Sequence, residues 1–129
     1  MNQSQKSRQM SETFQLGILL AGIGGFLDAY TYICRGGVFA NAQTGNIVLL
    51  GMRLAERNPM AAVRYVIPIL AFVAGVVVAE WIKNKYKNTA KIHWRQIIIL
   101  IECLVLLGVA FLPQTNESNL LANVMISFV

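Results

Sequence analysis

The sequence predicts an all-α membrane protein, a polytopic helical bundle that contains one broken or re-entrant short helix. Of the 129 residues, 56% are hydrophobic and 13% are charged, whereas soluble domains carry about 25% charged residues. Long apolar runs alternate with short polar or basic stretches, and about 20 apolar residues suffice to cross a bilayer as a helix. One of the polar stretches follows directly on an apolar helix, which favours a polar element at membrane depth.

The chain opens with a polar tail, residues 1–13, and its first apolar run covers residues 14–34. As a helix this run would be about 31 Å long, which matches a hydrocarbon core of about 30 Å. At 100° per residue, small and polar side chains share one face and bulky side chains share the other. We expect the first face to pack inside the bundle, because small residues let helices approach closely and polar residues avoid acyl chains. That face contains Gly17, Ala21, Gly24, Gly25, Asp28, Thr31 and Tyr32.

The first helix is predicted to end at Arg35–Gly37, since paired glycines terminate helices. The following segment is polar at first, and its uninterrupted apolar part, residues 47–52, would be only about 9 Å long as a helix. We therefore predict a short helix over residues 45–56, capped by Thr44 or Asn41. Such an interruption at membrane depth must be buried in protein or line a wet cavity.

Three further helices are predicted after a turn at residues 56–59, namely 61–82, 96–112 and 119–129. The last would be about 15 Å long, half a bilayer, so we expect it to be incomplete. The helix over 61–82 carries a seam of small residues on one face, typical of helix packing in membranes. This seam contains Ala71, Gly75 and Ala79.

Residues 83–95 carry five positive charges and no acid, and Trp81 and Trp94 lie near the two ends of this stretch. The positive-inside rule predicts that this loop is cytoplasmic, and a contact with anionic lipid is the alternative interpretation. If this loop is cytoplasmic, the helix over 61–82 begins on the outer side of the membrane. If the N-terminus is cytoplasmic too, the first helix ends on the outer side, so the segment 38–56 must start and finish there, as a re-entrant element does. A full crossing by that segment would instead place the N-terminus outside.

Asp28 and Glu102 are the carboxylates deepest in apolar runs. An acid at the centre of a membrane helix costs about 2.5–3.5 kcal/mol, so it is usually paired, protonated or functional. One interpretation is proton or solute handling. The other is an internal ion pair or hydrogen bond, for which Arg35 and Arg64 are the available cations.

The amide-rich stretch before the short helix resembles the broken-helix substrate sites of transporters, where unwound backbone and a positive helix end face a polar ligand. The alternative is a buried turn whose amides satisfy one another. The candidate pathway residues are Asp28, Thr31, Asn41, Gln43, Thr44, Gly45, Asn46 and Glu102.

Enzyme motifs are missing from the sequence. Asp28 is the one aspartate, and no G-x-S-x-G, H-E-x-x-H or P-loop pattern occurs, so we predict no catalytic residues and no cofactor. Cys34 and Cys103 have no zinc spacing and define no disulfide framework, and no metal site is predicted. No basic face interleaved with aromatics is present, so nucleic acid is not an expected partner.

Three motifs together resemble the bacterial YoaK-like membrane proteins, a family defined by domain of unknown function 1275. They are Gly25-x-x-Asp28-Ala29, Gly36-Gly37-Val38-Phe39 and Gln43-Thr44-Gly45-Asn46. The resemblance extends over nearly the whole chain after the first dozen residues. It implies a six-helix protein of the bacterial inner membrane that is longer than this chain, whose C-terminal half would be a partner of the present helices. It implies no activity.

These observations lead to two functional hypotheses. The first is a transporter- or channel-like protein for a small polar solute or ion, with Asp28 and residues 41–46 lining its path. The second is a non-transporting membrane scaffold whose polar groups only hold helices together. The lipid bilayer is the expected partner in both cases, and homo-oligomerisation is left open.

Overall fold

The computed structural model describes residues 14–86 and 94–129, which form five helices and no strand. The prediction of an all-α fold is therefore confirmed. The predicted polar tail and the middle of the basic loop lie outside the described residues. The helices are α1 (Phe14–Cys34), α2 (Gln43–Ala55), α3 (Pro59–Tyr86), α4 (Trp94–Ala110) and α5 (Asn116–Phe128).

Among the described helices, α1 and α3 are long and apolar enough to cross a membrane, judged by length and composition. Large apolar side chains on α1 face outward: Phe26 is 68% exposed and Ile33 is 79% exposed. An extended apolar surface of this kind is unfavourable in water and is expected of helices that contact lipid.

Helix α2 begins two residues earlier than predicted, and the predicted capping by Thr44 or Asn41 is wrong. The N-cap position is Ala42, which makes no side-chain capping bond. Its carbonyl instead accepts the N–H groups of Gly45 and Asn46 at 2.9 and 3.4 Å. Just before the helix, the N–H groups of Asn41 and Ala42 donate to the carboxylate of Asp28 on α1.

Helix α3 is longer at both ends than the predicted span. Pro59 suits the first helical position, where an N–H group would have no partner within the helix. The side chain of Asn58 caps this end, since its Oδ1 accepts the N–H of Ala61 at 3.1 Å. At the other end Lys83 Nζ contacts Glu80 Oε1 at 2.8 Å, and this pair lies on a turn of helix that continues past the apolar run.

Helices α4 and α5 also begin earlier than their apolar runs suggest. Helix α4 covers Trp94–Ala110 rather than 96–112. Helix α5 begins at Asn116 rather than 119 because Thr115 caps it, with Oγ1 accepting the N–H of Ser118 at 3.3 Å.

Helix α3 is central to the packing, since it contacts α2, α4 and α5, and α5 also contacts α4. Gly75 marks the closest approach, because a Cβ added there would clash with the backbone carbonyl of Phe128. Helix α1 joins the core through Leu27 and Tyr30. They pack on a buried cluster formed by Ala40, Val109, Ala122 and Ile126.

The chain leaves α1 and enters α3 at the same end of the bundle. Arg35 and Gly36, which follow α1, line one cleft together with Asn58 and Met60, which flank the start of α3. Helix α2 lies between these points in sequence and is about 20 Å long, shorter than a hydrocarbon core of about 30 Å. This is the arrangement expected when a short helix does not cross the membrane.

Candidate functional site

Residues 35–42, here called the junction, connect α1 to α2 without helical structure. The reversal depends on two glycines in the left-handed region, Gly36 with φ of 93° and Gly37 with φ of 77°. The N–H of Gly37 reaches back to the carbonyl of Tyr32 at 3.1 Å and closes the last turn of α1. Glycine is suited to both positions because a Cβ is disfavoured at positive φ.

Asp28 attaches the junction to α1 through one carboxylate oxygen. Its Oδ1 accepts the backbone N–H groups of Asn41 at 2.7 Å and Ala42 at 3.2 Å. The side chain of Asn41 donates in turn to the carbonyl of Gly24 at 3.4 Å. The Oδ2 atom makes no hydrogen bond to any residue in the described ranges. The half-buried carboxylate therefore keeps one oxygen available for a ligand or a proton.

Asn46 closes the junction from the α2 side, and its side chain is fully buried. Its Oδ1 accepts the N–H of Phe39 at 3.0 Å, and its Nδ2 donates to the Phe39 carbonyl at 2.6 Å. The same Nδ2 donates to Gln43 Oε1 at 2.8 Å, while Gln43 Nε2 donates to the carbonyl of Ala40 at 2.6 Å. We call Phe39, Gln43 and Asn46 the junction lock, because their polar atoms satisfy one another.

The ring of Phe39 sets the spacing between the lock and α1. It stacks on Tyr32 with centroids 4.7 Å apart and planes 19° apart. On α2 it covers Gly45, where an added Cβ would lie 2.7 Å from Phe39 Cδ2. Three of the motif residues noted in the sequence, Phe39, Gly45 and Asn46, thus build the junction itself.

Arg35 is buried, with 3% exposure, and it binds no carboxylate of residues 14–86 or 94–129. Its Nη atoms donate to the carbonyls of Leu112 and Pro113 at 2.9 and 2.7 Å and to Asn119 Oδ1 at 3.4 Å. Its Nε donates to the hydroxyl of Tyr30 at 2.7 Å. Since carbonyls just beyond a helix C-terminus attract a cation, Arg35 ties the end of α1 to the end of α4.

An ion pair between Asp28 and Arg35 was one predicted arrangement, and the structure does not form it. The ion pairs within the described residues are Arg53 with Glu56 and Lys83 with Glu80, each at 2.8 Å and exposed. Arg35 follows directly on α1, and its long side chain reaches the carbonyls after α4 instead of turning back toward Asp28.

Helix α5 carries polar residues that the sequence reasoning missed. Asn119, Asn123 and Ser127 recur every fourth residue on one face, and we call them the α5 polar stripe. Asn123 Nδ2 donates to the carbonyl of Arg35 at 2.8 Å. Asn123 Oδ1 and Ser127 Oγ are buried and make no hydrogen bond to the described residues. The sequence does contain a signal for this stripe, because polar residues spaced four apart within an apolar run lie on one face of a helix.

The side chains of the other predicted pathway residues make no hydrogen bond to the junction within the described ranges. Thr31 is buried, and its hydroxyl lies 2.9 Å from the carbonyl of Leu27 and 3.2 Å from that of Asp28, both in its own helix. Thr44 is exposed, and Glu102 on α4 is partly exposed; neither side chain makes a hydrogen bond within the described ranges. The structure therefore brings Asp28, Asn41, Gln43, Gly45 and Asn46 together and leaves these three apart.

The predicted packing residues differ in their surroundings. Gly75 lies against α5, and a Cβ on Gly24 would touch Asn41 Nδ2 at 3.9 Å. Gly17 and Gly25 have no neighbouring atom within 4 Å of such a Cβ, and Ala21 is exposed. Ala79 lines a cavity of about 40 Å³ beside Gly75, and Ala71 is partly buried. Packing of the α1 seam stays a prediction.

Residues 16–129 match the family model described as "Protein of unknown function (DUF1275)". The chain belongs to this family. The resemblance noted from the three motifs is thereby confirmed, and the match includes the junction and all five helices except the start of α1.

A curated relative of this DUF1275 member is the "UPF0700 transmembrane protein YoaK" of Bacillus subtilis (strain 168). It is 32% identical over 71 residues, which are 55% of this chain and 32% of the relative. No solved structure gives a significant match. The family match, this relative and the two membrane-length helices identify the DUF1275 member as a membrane protein of an uncharacterised family.

Proposed function

We propose that this DUF1275 member is a transporter- or channel-like protein for a small polar solute or ion. The observation that carries the proposal is Asp28, a carboxylate within a membrane-length helix that uses only Oδ1 to hold the junction. Ionisable groups in membrane helices are costly and mark ion and solute paths by default. The unengaged Oδ2 offers an oxygen ligand to a cation, a proton or a donor group of a solute.

The path of the chain supports the same proposal. Transporters place their sites where a membrane helix is interrupted and unwound backbone faces the substrate. Here the interruption is the junction, and the chain leaves α1 and enters α3 at one end of the bundle. We propose that α2 is re-entrant and that the cleft at this end faces the outside of a bacterial plasma membrane.

The proposed orientation depends on the opposite end of α3. Lys85 Nζ lies 4.8 Å from the centroid of Trp81, and Lys83 Nζ lies 6.0 Å from the centroid of Trp94. Tryptophan and lysine together are typical of the headgroup region, with positive charge on the cytoplasmic side. We propose a multi-pass topology in which residues 83–95 are cytoplasmic and contact anionic lipid.

The test is Asp28→Asn in the intact protein, reconstituted into liposomes. Stopped-flow light scattering after an osmotic step with urea, glycerol, glycine or potassium chloride reports entry of each solute, at acidic and at neutral pH. We expect protein-dependent, pH-dependent entry of at least one solute, and its loss in Asp28→Asn. Asn retains an acceptor for the junction N–H groups, so insertion and melting temperature should change little.

A scaffold function is the second candidate, and the junction lock favours it. Asn46 and Gln43 direct their amides at neighbouring backbone, as a purely structural turn would. If the protein is a scaffold, neither the wild type nor Asp28→Asn moves solute. Asp28→Asn then lowers the melting temperature, because a charged hydrogen-bond acceptor is replaced by a neutral one. Thr44→Ala is the control, since Thr44 is exposed and its side chain makes no hydrogen bond to the described residues.

A further inference from the structure

We propose that the cleft beside Arg35 binds an oxyanion of the phosphate or sulfate type. The cleft has a volume of about 550 Å³ and lies between the end of α1, the start of α3 and the start of α5. Its polar lining consists of Arg35, Arg64, Asn58, Asn116 and Asn119. This volume is large enough for a hydrated anion or a lipid headgroup.

The lining carries two positive charges and no carboxylate. Arg35 meets only neutral acceptors, and four hydrogen bonds leave one of its five N–H groups without an acceptor in the described ranges. Arg64 makes no hydrogen bond with described residues and is exposed. A buried guanidinium without a counter-charge is costly, so an anion in the cleft would stabilise both arginines.

Two helix N-termini add to this positive potential. Asn58, Met60 and Ala61 at the start of α3 line the cleft, and so do Asn116 and Asn119 at the start of α5. Each N-terminus carries about half a positive charge, and the side chains of Asn58 and Thr115 each accept one N–H group there. The nearby acid Glu117 is in the first turn of α5 but does not line the cleft.

The asparagines supply donors for the anion's oxygens. Asn119 uses its Oδ1 to accept from Arg35, so its Nδ2 is left to donate. Planar guanidinium groups with amide donors form the usual recognition set for phosphate and sulfate oxygens. The inference goes beyond the proposed function and does not depend on transport, because binding is measured directly and Asp28 takes no part in it.

The experiment measures binding by the intact protein in neutral detergent, at constant ionic strength adjusted with chloride. Melting temperature and isothermal titration are followed with sodium phosphate, with sodium sulfate and, separately, with short-chain phosphatidylglycerol. Saturable binding of phosphate or sulfate identifies a soluble oxyanion. Saturable binding of phosphatidylglycerol alone identifies a lipid headgroup. Both results support the proposal.

Two variants and one control make the test specific. Arg64→Gln should weaken binding by about tenfold or more, the loss expected for a charge-assisted contact. Asn116→Asp suits a helix N-terminus and so should fold, but its carboxylate in the cleft should abolish binding. Arg57→Gln is the control, a neighbouring exposed cation outside the lining. Absence of saturable binding by every probe, or equal affinities in all three variants and the wild type, would overturn the proposal.

Discussion

The junction lock and the α5 polar stripe are both polar groups buried among apolar helices, but they use their hydrogen bonds differently. In the lock, Asn46 engages Oδ1 and Nδ2 with Phe39 and Gln43. In the stripe, Asn123 Oδ1 and Ser127 Oγ have no partner among the described residues. Asn46, Asn123 and Ser127 are all buried, but the hydrogen-bonding groups of Asn46 are satisfied and those of Asn123 and Ser127 are satisfied only in part.

This difference helps to distinguish polar groups that only stabilise the fold from polar groups that could bind a ligand. A buried polar group that is fully satisfied stabilises one conformation, whereas an unsatisfied one costs free energy and needs a further reason for its presence. By this criterion the satisfied amides of Gln43 and Asn46, two of the site candidates from the sequence, fit a structural role. Polar atoms left without a hydrogen bond to the described residues include Asp28 Oδ2, Asn123 Oδ1 and Ser127 Oγ.

The largest effect is expected for Asn46→Ala, which removes three hydrogen bonds and leaves Phe39 N–H and C=O without partners. Three bonds at the membrane average of about 0.6 kcal/mol each give about 2 kcal/mol. Unpaired buried backbone groups raise the loss to about 5 kcal/mol. The measurement is the free energy of unfolding in mixed micelles. Thr44→Ala in the same helix is the control and should lose less than about 1 kcal/mol, because its side chain is exposed. An equally small loss for Asn46→Ala would show that the lock does not hold the junction.

A smaller loss is expected for Gly45→Ala. The new Cβ would lie 2.7 and 2.9 Å from two carbon atoms of the Phe39 ring, so the ring must move away from Tyr32, at a cost of about 1–3 kcal/mol. Gly51→Ala in the same helix has no atom within 4 Å of its Cβ and should gain about 0.5–1 kcal/mol. Equal effects of the two substitutions on melting temperature would contradict this packing.

The smallest effect, of opposite sign, is expected for Ser127→Ala in the stripe. Because Ser127 Oγ has no partner in the part of the chain that the structure describes, its removal should be neutral or stabilise the protein by about 1 kcal/mol. Asn123→Ala, which loses the 2.8 Å bond to Arg35, should cost about 1 kcal/mol. If Ser127→Ala destabilised the protein more than Asn123→Ala, the contrast between lock and stripe would fail.

The sequence predicted the helical class and the limits of α1, because both follow from hydropathy and helix length. It located the junction but not its hydrogen bonds. The pairing of Asn46 with Phe39 depends on a chain reversal at Gly36 and Gly37, and periodicity does not describe such a reversal. Polar residues at the start of α2 suggested a side-chain cap, but the helix has none. Asp28 instead accepts the N–H groups of Asn41 and Ala42, which lie just before the helix.

Arg35 shows a second limit of sequence reasoning. Its spacing from Asp28 suggested an ion pair on one helix face. The structure instead directs it to the carbonyls of Leu112 and Pro113, nearly 80 residues later. Backbone carbonyls have no sequence signature, so a contact of this kind follows only from the tertiary packing of α1 on α4.

A re-entrant α2 requires the chain to leave α1 and to enter α3 on the same side of the membrane. Cysteines at Gln15, Glu56 and Lys85, introduced singly after replacing Cys34 and Cys103 with alanine, can be labelled with a membrane-impermeant maleimide in intact cells and in inverted vesicles. We predict that residues 15 and 85 react from the cytoplasmic side and residue 56 from the outer side. Labelling of residues 15 and 56 from the same side would show that α2 crosses the membrane and would contradict the account.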